Sequence, residues 1–440
     1  LADIIGVGAI VLLRFRFSNF RSFRSEQELS MIAGPFKDRV DTLAHSAAVP
    51  EPILTSAALY GANASGKTNV LRALHFMTSA VSFSHTRWLP NEAIEREPFA
   101  STPDQDRPSE FSADFVLEEV RYQYGFSVSD TAVLEEWLHA YPKGKRQAWF
   151  SRRTGEPMSF SQKMAGDNRT IEGLMRPNSL FLSTAAQNNH PALSSVYRWF
   201  SDSLDFVIGG RTRSMHRATE LCADPQYRDS IVSMVTRADL GIADLRLKDE
   251  HMPEETKRMV LALATFLKSE LKLDKPLPRV DEEHKEIQFL HRLGDQLVPF
   301  SPGQESDGTR AYLALLGPIV LAIRNGGVIC VDELDSSLHP LLALNLIRLF
   351  SEKSLNPKGA QLIFNTHDTN LLSGSVLRRD QIWFAEKKQD GSSQIYPLSD
   401  FKPRKEENLT NGYLQGRYGA IPFLNPDCLP STRGTEHDEA

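Results

Sequence analysis

Cysteine is scarce in this chain. Cys222, Cys330 and Cys428 are its only three, and no two form a CxxC pair. That argues against a zinc site and a disulfide framework, and it fits a reducing cytoplasm. Long apolar runs are missing too. Leu1–Leu13 is apolar but too short to span a bilayer, and it has no basic leader region, so we read its first part as an extension ahead of the fold. No repeat of 20–50 residues and no sustained heptad pattern occurs, which excludes a solenoid and a long coiled-coil arm. Neither charge sign dominates. With 50 Lys and Arg against 56 Asp and Glu, the net charge is −6, so only a local basic face could serve nucleic acid.

What is present is an ordinary globular balance, 41% hydrophobic and 24% charged over 440 residues, enough to bury a sizeable core. Leu12–Phe17 alternates apolar and basic residues as a half-buried strand does, and Asn19–Phe23 reads as a turn. Ser56–Tyr60 reads as a buried strand and Asn69–Ala80 as a helix. From Trp88 to about 170, alternating runs such as Ser112–Leu117 and Tyr122–Val128 point to antiparallel strands. Leu180–Ser183 reads as one more strand. Helical patterns dominate from Ser194 to Leu273, clearest over Glu254–Leu273. Lys285–Leu290 and Gln296–Phe300 suggest a hairpin. Thr309–Arg324 and Leu341–Phe350 read as helices, and Gly327–Val331, Gln361–Asn365 and Gln381–Glu386 as strands. The tail after Pro426 is polar and reads as disordered.

Gly61-Ala62-Asn63-Ala64-Ser65-Gly66-Lys67-Thr68 satisfies GxxxxGK[ST], with a strand before it and a helix from Lys67 and Asn69 onward. Glycines let the backbone curl so that N–H groups face phosphate oxygens, and the helix N-terminus adds its dipole. Lys67 would neutralise the β- and γ-phosphates, and the Thr68 hydroxyl would ligate Mg²⁺. The apolar strand Gly327–Val331 delivers Asp332 and Glu333 to the carboxyl edge of a sheet. Asp332 is placed to hold Mg²⁺, and Glu333 to activate or orient the attacking water. A strand ending in an acidic turn is common by itself; its pairing with a P-loop is not. His367 closes another strand, 34 residues after Glu333, where a histidine can bond a γ-phosphate or its water. Ser306-Asp307-Gly308-Thr309 opens the helix before Asp332. Taken alone it is simply a good N-cap.

In this order the motifs resemble the ABC-type ATPase heads of the SMC and OLD group, and most closely the OLD-like AAA-type ATPases of bacterial defence and toxin–antitoxin systems. The resemblance covers Leu12–Ala80 and about 299–424. It is carried by Arg16–Phe23, the P-loop, Ser306–Thr309, the strand before Asp332, Asp335, His367 and Gln415–Phe423. It implies an α/β fold: a mixed sheet with flanking helices, an inserted β-rich then helical region, and no long coiled coil. The implied division is an extension over 1–11, head segments over 12–80 and 299–425, a β-rich insert over 81–193, a helical lobe over 194–298, and a tail over 426–440.

Function follows from the same resemblance. Two chains would sandwich ATP and Mg²⁺, with Ser306 and Gly308 of one chain capping the γ-phosphate on the other's P-loop and Asp335 coupling the two sites. Gln187, after Leu180–Ser183, is the candidate metal-contacting glutamine, and Asn19 and Arg21 are candidates for lying near the nucleotide. The signature reads Ser-Asp-Gly-Thr rather than Ser-Gly-Gly-Gln, which favours the OLD-like branch over transporters. No Toprim nuclease follows the head, so no intrinsic DNA cleavage is expected, unlike the OLD and Gabija nucleases. The resulting expectation is a cytoplasmic ATPase that senses a phage-derived trigger. It would assemble as a homodimer or larger homo-oligomer and control a separate nuclease or toxin, as PARIS- and Septu-type ATPases do. The alternative is a DNA-binding repair head, with Arg14, Arg16, Arg21, Arg24, Arg211, Arg213 and Arg217 as a basic face. A toxin in its own right would need an active site in the middle region, where His190, His216 and Glu220 are scattered.

Overall fold

A computed structural model describes residues 10–209, 212–251, 258–259, 261–263, 265–266 and 283–422. Most of the expected helix Glu254–Leu273, Arg211, the tail after Pro426 and the first nine residues lie outside the described residues.

Strands β1 (Val11–Ser18) and β2 (Gln27–Ser30) and the hairpin of β3 (Ala44–Ser46) and β4 (Val49–Ile53) lead to β5 (Ser56–Tyr60), the P-loop and helix α1 (Lys67–Phe83). An antiparallel meander follows, of β6 (Ser109–Leu117), β7 (Val120–Val128), β8 (Val133–Tyr141), β9 (Gln147–Arg153) and β10 (Ser159–Phe160). Next come α2 (Phe181–Gln187), α3 (Leu193–Ser203), β11 (Leu204–Val207), α4 (Thr212–Ala223) and α5 (Pro225–Thr236), then a small sheet of β12 (Ile242–His251), β13 (Glu283–Leu293) and β14 (Gln296–Phe300). The chain closes with α6 (Asp307–Asn325), β15 (Val328–Val331), α7 (Pro340–Ser351), β16 (Gln361–Asn365), β17 (Ile382–Lys387), β18 (Ser393–Pro397) and α8 (Leu409–Leu414).

The site is organised by a six-stranded sheet in the order β11-β15-β16-β5-β17-β18, parallel except for β18. Its inner strands β15, β16 and β5 are buried along their whole length because both faces are covered. In β15, Val328 and Cys330 enter a core shared with α1 and the antiparallel sheet, while Ile329 and Val331 enter a second core with α6 and α7. Gln361, at the start of β16, ties the two sheets together. Its carboxamide accepts from the Leu12 N–H (2.7 Å) and donates to the carbonyls of Leu12 and Leu54 (both 3.0 Å).

The α/β head architecture read from the sequence is present, with no long coiled coil among the described residues and no described helix long and apolar enough to cross a membrane. Three local expectations fail. Val11 is already in β1 and buried, inside the segment expected to precede the fold. The stretch read as dominated by helices, Ser194–Leu273, also contains β11 and β12. Leu180–Ser183 is not a strand: Phe181–Gln187 is a helix whose first N–H groups, of Phe181 and Leu182, donate to the buried Glu136 carboxylate, the latter bond at 3.0 Å. An anion at a helix N-terminus stabilises the first turn, and a carboxylate 45 residues upstream supplies it here.

α6 holds Pro318 inside it, next to Gly317. α4 crosses at that point, and a Cβ on Gly317 would lie 2.8 Å from Ala218 Cα. The helix therefore lacks both bulk and one N–H where its neighbour comes closest.

Candidate functional site

The P-loop leaves β5 at Gly61 (φ +152°) and enters α1 through Gly66 (φ +109°). No side chain caps α1, so its first N–H groups stay available to an anion. The loop is gripped from both sides. A Cβ on Gly66 would meet Ser393 Oγ at 2.8 Å and Ser22 Oγ at 2.9 Å, and Asn69 donates to Ser22 Oγ at 2.9 Å. Lys67 folds over the loop, donating to the carbonyls of Gly61 (2.8 Å) and Ala62 (3.0 Å). Its burial lowers the ammonium pKa, and Glu333, Asp332 and Asp335 pull it back up.

Asp332 and Glu333 follow β15 at the carboxyl edge. β15 and β5 are not neighbours, because β16 lies between them. Strands are about 4.8 Å apart, so the two motifs are separated by about 10 Å. Asn365, the last residue of β16, fills that gap. Its Nδ2 reaches Asp332 Oδ1 and lies 3.5 Å from Thr68 Oγ1, while its Oδ1 accepts the Glu333 N–H. Thr68 Oγ1 donates to the same Asp332 oxygen at 2.8 Å. A hydroxyl and a carboxylate oxygen side by side are hard donors of the kind Mg²⁺ takes alongside substrate phosphates, so the residues fit that ion. Glu333 sits in the left-handed region at φ +51°, a strained conformation for a β-substituted residue, and it is exposed. Asn365→Ala is expected to free the Asp332 carboxylate and the Glu333 backbone N–H and to weaken Mg²⁺-dependent nucleotide binding about tenfold, through two lost bonds to charged or backbone groups; titration with a fluorescent ATP analogue checks this.

His367 is the next feature on this edge. Its N–H donates to Asp335 Oδ2 at 3.3 Å. Partial desolvation and the nearby Lys67 ammonium lower its imidazole pKa, against opposing pulls from Asp335 and Glu333. The ring is therefore neutral at pH 7 and can accept a proton. Asp335 Oδ1 is buried and has no hydrogen-bond partner within the described chain.

Ser306 caps α6, accepting from the Thr309 N–H at 3.1 Å. Gly308 tolerates no side chain, because its Cβ would lie 2.8 Å from the Ser337 carbonyl of the turn after Asp335. Asp307 and Arg310 share a cleft of about 670 Å³ with Asp332, Glu333 and Ser337, and no P-loop residue lines it.

The Gln187 assignment is corrected. Gln187 is exposed at the end of α2 and bonds the Tyr197 hydroxyl, which in turn donates to the Ser82 carbonyl. Ser82 is fifteen residues along α1 from Lys67, about 22 Å at 1.5 Å per residue. Gln187 therefore belongs to the far end of the helix and holds no metal at the P-loop. The buried carboxamide of Asn19 braces a loop, donating to the carbonyls of Asp104 and Arg107 (both 2.8 Å) and accepting from the Phe99 N–H (3.0 Å). Arg21 is spent on Glu97.

The described arginines of the expected basic face are engaged with carboxylates. Arg14 and Arg16 pair with Glu28, Arg24 with Asp104 and Asp390, and Arg217 with Asp205. Arg211 lies outside the described residues, and the Arg213 side chain is not described. His190 is buried; it accepts the N–H groups of Ala192 and Leu193 and bonds Asn168, a structural role. His216 pairs with Glu220 on an exposed helix face.

Besides Asn365, sequence reasoning missed the C-terminal brace. Tyr413 stacks on Phe384 and meets Tyr60, the residue before Gly61, edge-on at 5.9 Å. Its one sequence signal was the Gln415–Phe423 stretch, whose Tyr418 also stacks on Phe384.

A family described as "AAA domain, putative AbiEii toxin, Type IV TA system" matches residues 56–373. No curated protein matches the chain. Among solved structures, the chain is similar to an Smc head bound to the C-winged helix domain of ScpA, with 14% identity, a TM-score of 0.40, and coverage of 89% of this chain and 99% of that one. It is also similar to an Smc head domain with an extended coiled coil bound to the C-terminal domain of ScpA derived from Pyrococcus furiosus, with 13% identity, a TM-score of 0.40, and coverage of 89% and 97%.

Proposed function

Because this chain belongs to the family of AAA domains described as putative AbiEii toxin of type IV toxin–antitoxin systems, we propose that it binds and hydrolyses ATP between two copies of itself and thereby controls a separate effector in a defence or toxin–antitoxin system. One observation carries the reading. Lys67, Thr68, Asp332, Asn365, Glu333 and His367 converge on one edge of the parallel sheet, while the start of the helix that Ser306 caps opens into the cleft beside Asp332 and Glu333 that no P-loop residue lines. A phosphate cradle with a metal-fitting oxygen pair is complete in one chain; a cap for the γ-phosphate is not.

The roles follow from placement. The uncapped N–H groups of α1 and Lys67 bind the phosphates. Thr68 and Asp332 would hold Mg²⁺, which supplies charge neutralisation on the phosphate oxygens. Glu333 orients and deprotonates the attacking water, and neutral His367 bonds the γ-phosphate or that water. Ser306 and Gly308 of the second chain close the site, and the partnerless Asp335 Oδ1 takes a donor across the interface. No observation favours the DNA-repair alternative, since the described arginines it rested on are paired with carboxylates.

Light scattering with and without ATP and Mg²⁺ tests the reading. The mass should at least double with ATP in wild type and stay unchanged in Lys67→Ala. A mass that ATP does not alter, in a protein that binds ATP, would sink it.

A further inference from the structure

A second cavity, of about 710 Å³, lies between α5, α6 and α7. Its walls are apolar: Met234 of α5, Val320 and Ile323 of α6, Leu341 and Leu349 of α7, and Leu355 beyond it. Leu341 is 66% exposed and Leu355 45% exposed, unusual for leucines lining one concave surface.

The rim is basic. Arg237, Arg324 and Arg348 line the same groove, against a single acid, Asp239. Arg324 is hydrogen-bonded to Ser230 Oγ at 2.8 Å. Arg237 and Arg348 have no carboxylate partner among the described residues. Many arginines elsewhere on the chain are engaged with carboxylates. Arg14, Arg16, Arg24, Arg121, Arg228 and Arg379 each pair with Asp or Glu. An apolar trough flanked by unpaired guanidinium groups complements an apolar stripe flanked by carboxylates.

The walls matter as much as the lining. α6 begins at Ser306–Gly308, and α7 begins immediately after the turn that carries Asp335. An occupant spanning α6 and α7 therefore bridges the two helices that start at the elements expected to meet a second chain.

We propose that this groove docks an acidic amphipathic helix of a separate protein, leucine-rich on one face and carrying Asp or Glu on its flanks, and that its grip depends on nucleotide through α6 and α7. The first half stands on the groove itself. The second half rests on the ATP reading above. A second copy of this chain is a poor occupant, because a two-fold contact would set these arginines against their own copies. A helix laid in the trough would present residues at i, i+3, i+4 and i+7 to the leucines.

The probe is a fluorescein-labelled peptide of about 18 residues, or five helical turns, with leucines at those spacings and glutamate elsewhere. Its control carries lysine for glutamate. Binding to the full chain without nucleotide is read by anisotropy. The acidic peptide should bind and the lysine peptide should not. Arg237→Glu with Arg348→Glu, and separately Leu341→Asp, should each weaken it about tenfold or more, while circular dichroism and ATP-analogue binding stay at wild-type values. Equal binding of both peptides, no binding by about 100 μM, or unchanged affinity in the variants would overturn the groove. So would a change in self-association of the variants, which would make this face a self-interface. Nucleotide dependence is read separately, as the acidic peptide's affinity with and without ATP in Glu333→Gln. If the affinity is unchanged there while ATP is bound, the coupling fails and the docking site stands.

Discussion

Glu333→Gln is expected to bind ATP as wild type does and to turn it over about 10²–10⁴-fold more slowly, the range lost when a positioned general base is removed. The carboxylate is the exposed member of the Asp332–Glu333 pair, and its backbone N–H is fixed by Asn365. Gln preserves size and can still orient water, but it cannot take a proton. Asp332, Thr68 and Lys67 are untouched, so affinity should hold. The variant should also remain assembled in ATP, because release follows hydrolysis. Steady-state phosphate release and a filter-binding titration check both halves. A loss of ATP binding parallel to the loss of turnover would mean that Glu333 is structural.

Gly61→Ala should be the most damaging small change in the molecule. The new Cβ would sit 2.3 Å from the Ala385 carbonyl oxygen of β17 and 2.7 Å from Ser65 Oγ, at φ +152°. Backbone on one side cannot yield without moving a central strand pair, since β17 is paired with β5 through Ile382–Ala58 and Phe384–Tyr60. Strain of this kind costs about 1–3 kcal/mol, and overpacking adds a similar amount. A stability loss of about 3 kcal/mol and no measurable ATP binding are therefore expected, by thermal denaturation and analogue titration. Gly374→Ala, where a Cβ meets nothing within 4 Å and the backbone is not left-handed, is the control, and should shift stability by no more than about 1 kcal/mol.

The P-loop and the Asp332–Glu333 strand were legible because their chemistry is local: the spacing of Gly61, Gly66, Lys67 and Thr68 is the site. Asn365 was not, because its role comes from strand order. Only when β16 is known to lie between β15 and β5 does its terminal side chain become the bridge. Gln187 failed for a related reason. Leu180–Ser183 is four residues, three of them apolar, too short for periodicity to separate strand from helix, and Glu136 decides the matter from another sheet. β11 was hidden the same way, as four residues directly after a helix. The arginines of the expected basic face read as free because charge was counted along the chain. Glu28 faces Arg16 across β1 and β2, a pairing that register sets and composition does not.

The central claim is that the site is completed by a second chain. Lys67→Ala lacks the phosphate lysine, and Ser306→Arg blocks the helix N-terminus proposed to cap the partner's γ-phosphate. Each alone should be inactive. Mixed in equal amounts, half the dimers pair one variant with the other, and each such dimer holds one site with Lys67 and Ser306 both intact. The symmetry of a two-fold assembly then predicts recovery of up to about one quarter of wild-type turnover. If the mixture stays as inactive as its parts while both proteins still assemble, Ser306 acts within its own chain or not at all, and the composite site is wrong.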